Sequence, residues 1–236
     1  MKDYSLLSNK VRLYPNQEQE QSLRNHAGAR RWVYNRFLAL QMQMWQDYKT
    51  WEAKPANRRS RTAPKKRYSF FETEKVLTTL RNSDQFNWLS ETSAQMQQQA
   101  LKDLDTAFQN FINGRGKHPK FKRKGEREGF RVQQNTDVAD TKVRVGKLGW
   151  IRCRGLRPEL ENRLTTQSVT VSLEAGKWYA SILCRMPAQP VPEHEHKSRA
   201  CGVDVGIAIP YTVASSTGRD FCYGAEFSKA LARKEE

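Results

Sequence analysis

The chain lacks the cysteine pairs of a zinc-binding motif, although its 236 residues include four cysteines. Cys153, Cys184, Cys201 and Cys222 form no CxxC pair, so we expect no zinc site within this chain, no disulfide framework, and reduced thiols. The chain also lacks the run of about 18 apolar residues that a membrane span requires. Its N-terminus shows no apolar segment followed by a small-residue cleavage site. We therefore expect a cytoplasmic protein with no membrane partner.

Acidic residues are scarce relative to basic ones. The chain has 41 Lys and Arg against 25 Asp and Glu, which gives a formal net charge of +16. A field of this sign attracts polyanions, and nucleic acid is the most common of these. Ribosomal proteins and membrane-surface binders share such a composition, so the charge indicates only a class of partner. Aromatic residues make up 10% of the chain and include six Trp, which excludes a disordered polymer.

The first fifty residues show the pattern of a strand followed by a helix. Residues Leu6–Tyr14 alternate between apolar and polar, as in a half-buried strand. Pro15 ends the strand, and Asn16 is a good N-cap for a helix that begins at Gln17. We expect an interruption of this helix at Gly28. Beyond it, spacings of three and four predict one buried face, formed by Val33, Phe37, Leu40 and Met44.

Two further helices are predicted, over residues 70–82 and 93–113. The first would bury Val76, Leu77 and Leu80. The second ends at Asn113-Gly114, a typical helix C-terminus. Its apolar stripe comprises Leu101, Leu104, Phe108 and Phe111.

Two basic segments are candidates for binding nucleic acid. Residues 57–67 (NRRSRTAPKKR) hold six cations and form either a solvated loop or a loop ordered on phosphates; the net charge favours the second. Residues 114–131 interleave cations with Phe121 and Phe130, rings that either stack on bases or point into a core. The predicted nucleic-acid-binding residues are Arg30, Arg31 and Arg36 of the long helix; Arg58, Arg59, Arg61, Lys65, Lys66 and Arg67; and Lys117, Lys120, Phe121, Lys122, Arg123 and Lys124.

Strand patterns dominate residues 130–186, and LEAGKWY indicates a hairpin. The sequence therefore predicts an α+β fold in which a helical block is inserted into a small β-barrel. The expected boundaries are 1–15 for the first barrel strand, 16–116 for the helical block, 117–188 for the barrel and 189–199 for a proline-rich linker. His194 and His196 in the linker are either metal ligands or, more simply, exposed side chains.

A lone carboxylate interrupts the apolar stretch CGVDVGIAIP at residues 201–210. Alternation over 201–213, a turn at 215–218 and a return strand at 219–223 predict a β-hairpin. Asp204 shares one face of this strand with Gly202 and Gly206, which leave space around its carboxylate. Such space suits a metal ion and an approaching phosphate backbone. Many Gly-Val-Asp-Val stretches, however, are only strand ends or turns.

Together, these motifs resemble TnpB, the OrfB-type protein of bacterial insertion sequences and a relative of the type V CRISPR effector nucleases. The matching motifs follow the family's order and cover nearly all of the chain: VRLYPNQEQE, RRWVYNRFLAL, QQQALKDLDTAFQNF, HPKFKRKG, GKWY, and CGVDVGI leading into TVASSTG. The resemblance implies an RNA-guided DNA endonuclease encoded beside a mobile element, with guide RNA and DNA as partners. It implies that the helical block and the barrel grip the RNA and the heteroduplex. Residues 200–236 would begin an RNase H-like (RuvC) nuclease domain.

The resemblance also assigns individual residues. Asp204 matches the first RuvC aspartate, a catalytic residue and a ligand of Mg²⁺. The cations from Lys117 to Lys124 match a segment beside the nucleic-acid channel. The N-terminal part carries the family's helix-turn-helix label, with which two helices meeting near Gly28 are compatible.

The sequence departs from the family pattern after Asp204. A RuvC site needs about three carboxylates because Mg²⁺ prefers octahedral oxygen coordination. The family supplies a later glutamate, a four-cysteine zinc finger and a further aspartate, whereas only Asp220, Glu226, Glu235 and Glu236 follow here. We therefore expect a truncated nuclease domain that holds one of about three catalytic carboxylates, binds Mg²⁺ weakly and leaves an apolar face uncovered.

Three hypotheses remain for the function. The first is a TnpB-type RNA-guided nuclease in truncated form, for which Asp204 is the discriminating feature. The second is a non-catalytic DNA- or RNA-binding transposon accessory or repressor-like protein, which needs only the charge and the aromatic residues. The third, a ribosomal or general RNA-binding protein, explains the charge but not the motif order. The sequence leaves open whether the chain is an enzyme and which oligomeric state it adopts.

Overall fold

The computed structural model describes residues 4–188, 200–205, 211–217 and 221–223. The chain divides into two units, Met1–Ala188 and Gln189–Glu236. The described part of the first unit contains three α-helices and a seven-stranded sheet. Its elements are β1 (Tyr4–Tyr14), α1 (Gln17–Glu52), α2 (Phe70–Arg81), α3 (Ala94–Ile112), β2 (Gly129–Val132), β3 (Thr136–Ala139), β4 (Lys142–Val145), β5 (Trp150–Arg154), β6 (Thr165–Glu174) and β7 (Lys177–Pro187).

Helix α1 is continuous over 36 residues, so the expected interruption at Gly28 is wrong. Asn16 caps the helix as predicted, because its side chain accepts a hydrogen bond from the Gln19 amide at 2.8 Å. An interior glycine costs a helix about 1 kcal/mol. Burial of neighbouring side chains, among them Leu23 and Val33, offsets this cost because α1 packs along α3.

Helices α2 and α3 agree with the predicted spans to within one or two residues. A capping box of Ser69 and Glu72 begins α2. The predicted apolar stripe of α3 is buried except at its end, where Phe111 is 40% exposed. Among the other predicted core positions, Val33, Phe37 and Leu77 are buried, whereas Leu40, Met44, Val76 and Leu80 are partly buried.

The sheet is antiparallel, with strand order β2-β6-β7-β1-β5-β4-β3. Strand β1 lies at its centre, between β7 and β5, and the helices occur in sequence between β1 and β2. The predicted insertion of a helical block into a β-module is therefore confirmed. The sheet curls so that β3, at one edge, approaches β6 near the other edge. It forms a half-barrel, because β2 and β3 remain edge strands.

The hairpin between β6 and β7 is also as predicted. Its turn residues, Ala175 and Gly176, have φ of 47° and 74°, the left-handed values that suit a two-residue hairpin. Strand β3 was not predicted, because the four residues Thr136–Ala139 contain a single large apolar side chain, Val138. Cys153 and Cys184 are free thiols in the core, and burial raises the pKa of Cys153 to about 11.

The second unit contains β8 (Cys201–Asp204), β9 (Tyr211–Ser215) and β10 (Phe221–Tyr223), in the order β10-β9-β8. The single strand predicted over 201–213 is therefore wrong, because two antiparallel strands share this span. Gly206 and Pro210 occur between them in sequence, and both residue types weaken a strand interior. The described residues of this unit include no helix and no second sheet, and Val203 and Val205 are 57% and 69% exposed. The predicted linker, with His194 and His196, lies outside the described residues.

Candidate nucleic-acid interface

One face of the seven-stranded sheet is strongly cationic. Side chains alternate between the two faces of a strand, and the register sets Arg12 of β1 beside Arg154 of β5. Both lie opposite the buried face, and we call their side of the sheet the sheet face. Within the described strands it carries nine cations, Lys10, Arg12, Arg131, Lys142, Arg144, Arg152, Arg154, Lys177 and Arg185, against two acids, Asp137 and Glu174.

Aromatic rings are interleaved with these cations. Two guanidinium groups lie near the Tyr14 ring, and their central carbons are 4.8 Å (Arg12) and 5.4 Å (Arg154) from its centroid. Trp150, on the same face, is 39% exposed. Folding does not require this arrangement, because the opposite face of the same strands supplies the core. Rings beside cations instead match a ligand that combines flat bases with phosphates.

Both acids of the sheet face are neutralised by ion pairs. The Lys10 ammonium donates to Glu174 at 2.7 Å, and this hydrogen bond lowers the pKa of Glu174. Arg163 donates to Asp137 at 2.6 Å. An approaching polyanion therefore meets little repulsion on this side of the sheet.

Residues 57–67, which we call the first basic loop, lie against the end of α1. The loop is irregular apart from a short 3-10 turn at Ala56–Arg58. The guanidinium of Arg59 donates to the carbonyl oxygen of Glu52 at 2.5 Å and lies 5.4 Å from the Trp51 ring centroid. The ammonium of Lys66 lies 4.5 Å from the Tyr48 ring centroid.

Other cations of the first basic loop are held by carboxylates or point to solvent. Lys65 pairs with Glu72, and hydrogen bonds from Lys65 and then from Ser69 lower the pKa of Glu72 to about 2. Arg67 donates to Asp105 of α3 at 2.8 Å. Arg58 and Arg61 are exposed. These last two are the cations of this loop most available to a phosphate.

Residues 117–124, the second basic loop, contain both exposed and buried candidates. Phe121 is 50% exposed, whereas Phe130 is buried against the His26 ring. Phe130 is therefore a core residue, and base stacking by Phe121 stays a prediction. Lys122 is half-buried with its ammonium 4.2 Å from the Tyr34 ring centroid, and burial lowers its pKa to about 8. The exposed cations are Lys117, Lys120, Arg123 and Lys124.

The two basic loops meet on α3. Arg67 of the first contacts Asp105, and His118 of the second packs edge-on against Phe108 at 5.7 Å and Phe111 at 5.0 Å. Asp105 and Phe108 are three residues apart, about 4.5 Å along a helix axis. The structure therefore brings two segments, separated by some fifty residues in sequence, onto neighbouring turns of one helix.

The predicted cations of α1 have different surroundings. Arg30 donates to Asp103 of α3 at 2.7 Å and to the carbonyl oxygen of Gly129 at 3.1 Å. Arg31 pairs with Glu128 at 3.0 Å, and its side chain is 25% exposed. Arg36 is exposed. Arg30 and Arg31 therefore link α1 to neighbouring segments. Of the three cations, Arg36 is the one that a ligand can reach.

Asp204 lies on β8, where it is paired in register with Thr212 and is exposed rather than buried. A Cβ added at Gly202 would meet no atom within 4 Å, so space exists on this side of Asp204. Gly206 and the later acids lie outside the described residues. Among the described residues, no group of three His, Cys, Asp or Glu could hold a metal ion. This part of the chain alone does not fit the donor set that Mg²⁺ prefers.

Comparison with known proteins identifies relatives. The family model HTH_OrfB_IS605, described as a helix-turn-helix domain, matches residues 1–50. A protein of Escherichia coli (strain K12), "Putative RNA-guided DNA endonuclease InsQ", is 32% identical over 210 residues, which cover 88% of this chain and 47% of that protein. The chain is therefore similar to OrfB-type proteins. A "Putative RNA-guided DNA endonuclease" of Streptomyces pristinaespiralis is 30% identical over 213 residues, with 87% and 47% coverage.

The chain spans about half the length of the curated relatives it matches. The chain was also matched to a solved structure, the cryo-EM structure of a Cas12f1–sgRNA–target DNA complex. The match covers 100% of this chain and 70% of the solved chain, at 11% identity and a TM-score of 0.44. The helix-turn-helix match over residues 1–50 coincides with β1 and most of the uninterrupted α1. No helix among the described residues combines the length and apolar character that a membrane span needs.

Sequence reasoning missed the sheet face almost completely. The alternation of β1 placed Lys10 and Arg12 opposite Val11 and Leu13, which was the available signal. The same alternation recurs in KVRV and WIRCR, but only the register of the strands shows that their cations share one surface. In the two basic loops the cations are close together in sequence, so they are easy to recognise. In the strands each cation is separated from the next by an apolar residue, so no local cluster is visible.

Proposed function

We propose that the chain binds a structured RNA and its DNA target, as the nucleic-acid-gripping part of a TnpB-type RNA-guided DNA endonuclease. The observation that carries this proposal is the sheet face, which has nine cations and two neutralised acids; one of the nine, Lys10, neutralises Glu174, so eight remain for a ligand. A phosphate backbone bound there releases its counterions, which makes binding favourable and strongly dependent on salt. Tyr14 and Trp150 supply rings on which unpaired bases can stack.

The proposed layout follows the expected boundaries. Residues 1–15 and 117–188 form the β-module that presents the sheet face, and residues 16–116 form the helical block that presents the first basic loop. The second basic loop follows the block and docks on α3. Residues 189–199 serve as a linker to the nuclease segment, 200–236. Arg36, Arg58, Arg61, Lys117, Lys120, Phe121, Arg123 and Lys124 are the predicted contacts whose exposure supports a direct role.

For Asp204 we propose the role of the first carboxylate of an RNase H-like nuclease site. Two observations support this role. Asp204 lies on a strand near Gly202, where a Cβ would meet no atom within 4 Å, and its motif occurs at the position that the family's motif order predicts. Because Asp204 is the one carboxylate among the described residues of the second unit, and no group of three possible ligands occurs in the described part of the chain, we derive no cleavage step through a metal. The Asp204→Asn variant should bind RNA like the unaltered chain, since the residue lies apart from the proposed RNA-binding surfaces in sequence.

The experiment compares two ligands of the same sequence at fixed salt. A fluorescent RNA hairpin of about 25 nucleotides and the matching DNA duplex are titrated with the full chain at about 0.1 M salt, where phosphate contacts contribute to both. A guide-RNA binder should hold the RNA hairpin at least about tenfold more tightly. Equal affinity for the two ligands, or no binding of either, would contradict the proposal.

The second candidate is a non-catalytic DNA-binding accessory or repressor-like protein. The helix-turn-helix family match over residues 1–50 is the observation that favours it. A major-groove reader should prefer the DNA duplex over the RNA hairpin, because the deep, narrow major groove of A-form RNA excludes side chains. Tighter binding of the duplex in the same titration would therefore support this candidate over the first.

A further inference from the structure

Three aromatic side chains follow one another at intervals of three residues along the last turns of α1. Tyr48 stacks on Trp45, with ring centroids 6.0 Å apart and 24° between the planes, and lies 5.9 Å from Trp51. We call Trp45, Tyr48 and Trp51 the aromatic ladder. A spacing of three keeps side chains on one side of a helix. The last buried side chain of α1 is Gln41, so the ladder stands beyond the core.

Each ring of the aromatic ladder has a cation against it. The Lys49 ammonium lies 5.3 Å from the Trp45 ring centroid and donates to the Glu52 carboxylate at 2.8 Å. Lys66 and Arg59 of the first basic loop lie 4.5 Å and 5.4 Å from the centroids of Tyr48 and Trp51, respectively. Residues 45–67 contain eight Lys and Arg against two acids, Asp47 and Glu52. The segment therefore combines flat apolar rings with a net positive charge.

Holding the first basic loop on the helix explains only part of this arrangement. Trp51 donates its indole N–H to the Ser60 hydroxyl at 3.0 Å, and Tyr48 contacts Lys66, so these two rings anchor the loop. Trp45 contacts Tyr48 and Lys49 of its own helix and remains 46% exposed. Neither the core nor the loop needs an indole at position 45. Its exposed surface is available to a ligand with a ring.

From this geometry we propose that the aromatic ladder and the first basic loop bind unpaired nucleotides. One base stacks on Trp45, and the adjacent phosphates contact the exposed Arg58 and Arg61. The inference rests on the proposed nucleic-acid function, and it adds the form of ligand that this surface accepts. Continuous duplex fits poorly, because its bases are stacked on one another and expose only their edges.

The test uses the full chain and two fluorescent probes: a 12-nucleotide single-stranded RNA of mixed sequence and a blunt RNA hairpin with a closed, stable loop. Trp45→Ala should weaken binding of the single strand by about tenfold, since each stacked base contributes a factor of roughly five to a hundred or more. Binding of the hairpin should change by less than about twofold. Trp45→Phe should retain most of the single-strand affinity, because the phenyl ring preserves a stacking surface.

The control is Met42→Ala, which truncates another exposed apolar side chain of α1 (41% exposed) and should leave both affinities unchanged. Helical circular dichroism of each variant verifies that α1 is intact. Equal loss of both probes in Trp45→Ala, or no loss of either, would overturn the inference while leaving the proposed function standing. If the unaltered chain binds neither probe, the proposed function itself fails.

Discussion

The guanidinium of Arg30 contacts the carboxylate of Asp103 at 2.7 Å, so this side chain of α1 links α1 to α3. The same group reaches the carbonyl oxygen of Gly129, the first residue of β2. Arg30 therefore joins two helices and the sheet. In a chain with a net charge of +16, the number of cations overstates the number that a ligand can reach.

Loss of Arg30 should lower stability more than RNA affinity. Arg30→Gln removes the ion pair of the half-buried Asp103, which keeps only a hydrogen bond from the Gln99 amide at 2.9 Å. The change should lower the free energy of unfolding by about 2 kcal/mol, between the values for surface and buried pairs. The exposed Arg36 provides the matched control, and Arg36→Gln should change stability by less than about 0.5 kcal/mol. Urea denaturation measures both values. A smaller effect for Arg30→Gln than for Arg36→Gln would show that the ion pair contributes little.

Mild acid should destabilise the first unit through His26. Its Nδ1–H donates to the carbonyl oxygen of Ser22 at 2.8 Å, and its Nε2 accepts from the Ser93 amide at 3.3 Å, which requires a neutral ring. Burial lowers the pKa of His26 below its ordinary 6.5. The unfolded chain therefore binds more protons below that pH, and the free energy of unfolding falls as the pH drops through 6.5 toward the folded-state pKa.

Thermal unfolding from about pH 7.5 to about pH 5.5 measures this effect, because most carboxylates titrate below that window. His26→Gln retains an amide donor and acceptor without a titrating ring. Its melting temperature should be lower at pH 7.5 but should fall less across the window. An equally steep fall in this variant would assign the acid sensitivity to other groups.

Substitution of Gly129 should disrupt the edge of the sheet. A Cβ at this position would overlap the carbonyl oxygen of Val171 on β6, a backbone atom that cannot rotate away. Gly129→Ala should therefore destabilise the fold by about 1–3 kcal/mol, as overpacked sites do. Gly202→Ala is the matched control, because a Cβ there meets no atom within 4 Å. Equal unfolding midpoints for Gly129→Ala and the unaltered chain would contradict the packing at this contact.

Local patterns predicted the helices well and the tertiary arrangement less well. Residues near Asn16 and Ser69 carry their own capping chemistry, so the helix starts could be read directly. The continuity of α1 through Gly28 could not be predicted from the sequence, because packing against α3 outweighs the local cost of a glycine. The pairing of Arg12 with Arg154 joins strands 142 residues apart, and no local pattern specifies a register. The sequence predicted the two basic loops. It could not show that Arg30 and Arg31 differ from exposed cations, because their acidic partners, Asp103 and Glu128, are distant in sequence.

The salt dependence of RNA binding tests the central claim most directly. Arg12 and Arg154 lie near the Tyr14 ring on the sheet face. Arg24 and Lys75 are exposed cations of α1 and α2, and they provide a control of equal charge. The slope of log Kd against log salt is measured for the RNA hairpin with the unaltered chain, with R12Q/R154Q and with R24Q/K75Q. We expect the slope to fall in magnitude by about 1.5 in R12Q/R154Q, with at least tenfold weaker binding, and to be unchanged in the control. An unchanged slope and affinity in R12Q/R154Q would contradict a role for the sheet face in binding nucleic acid.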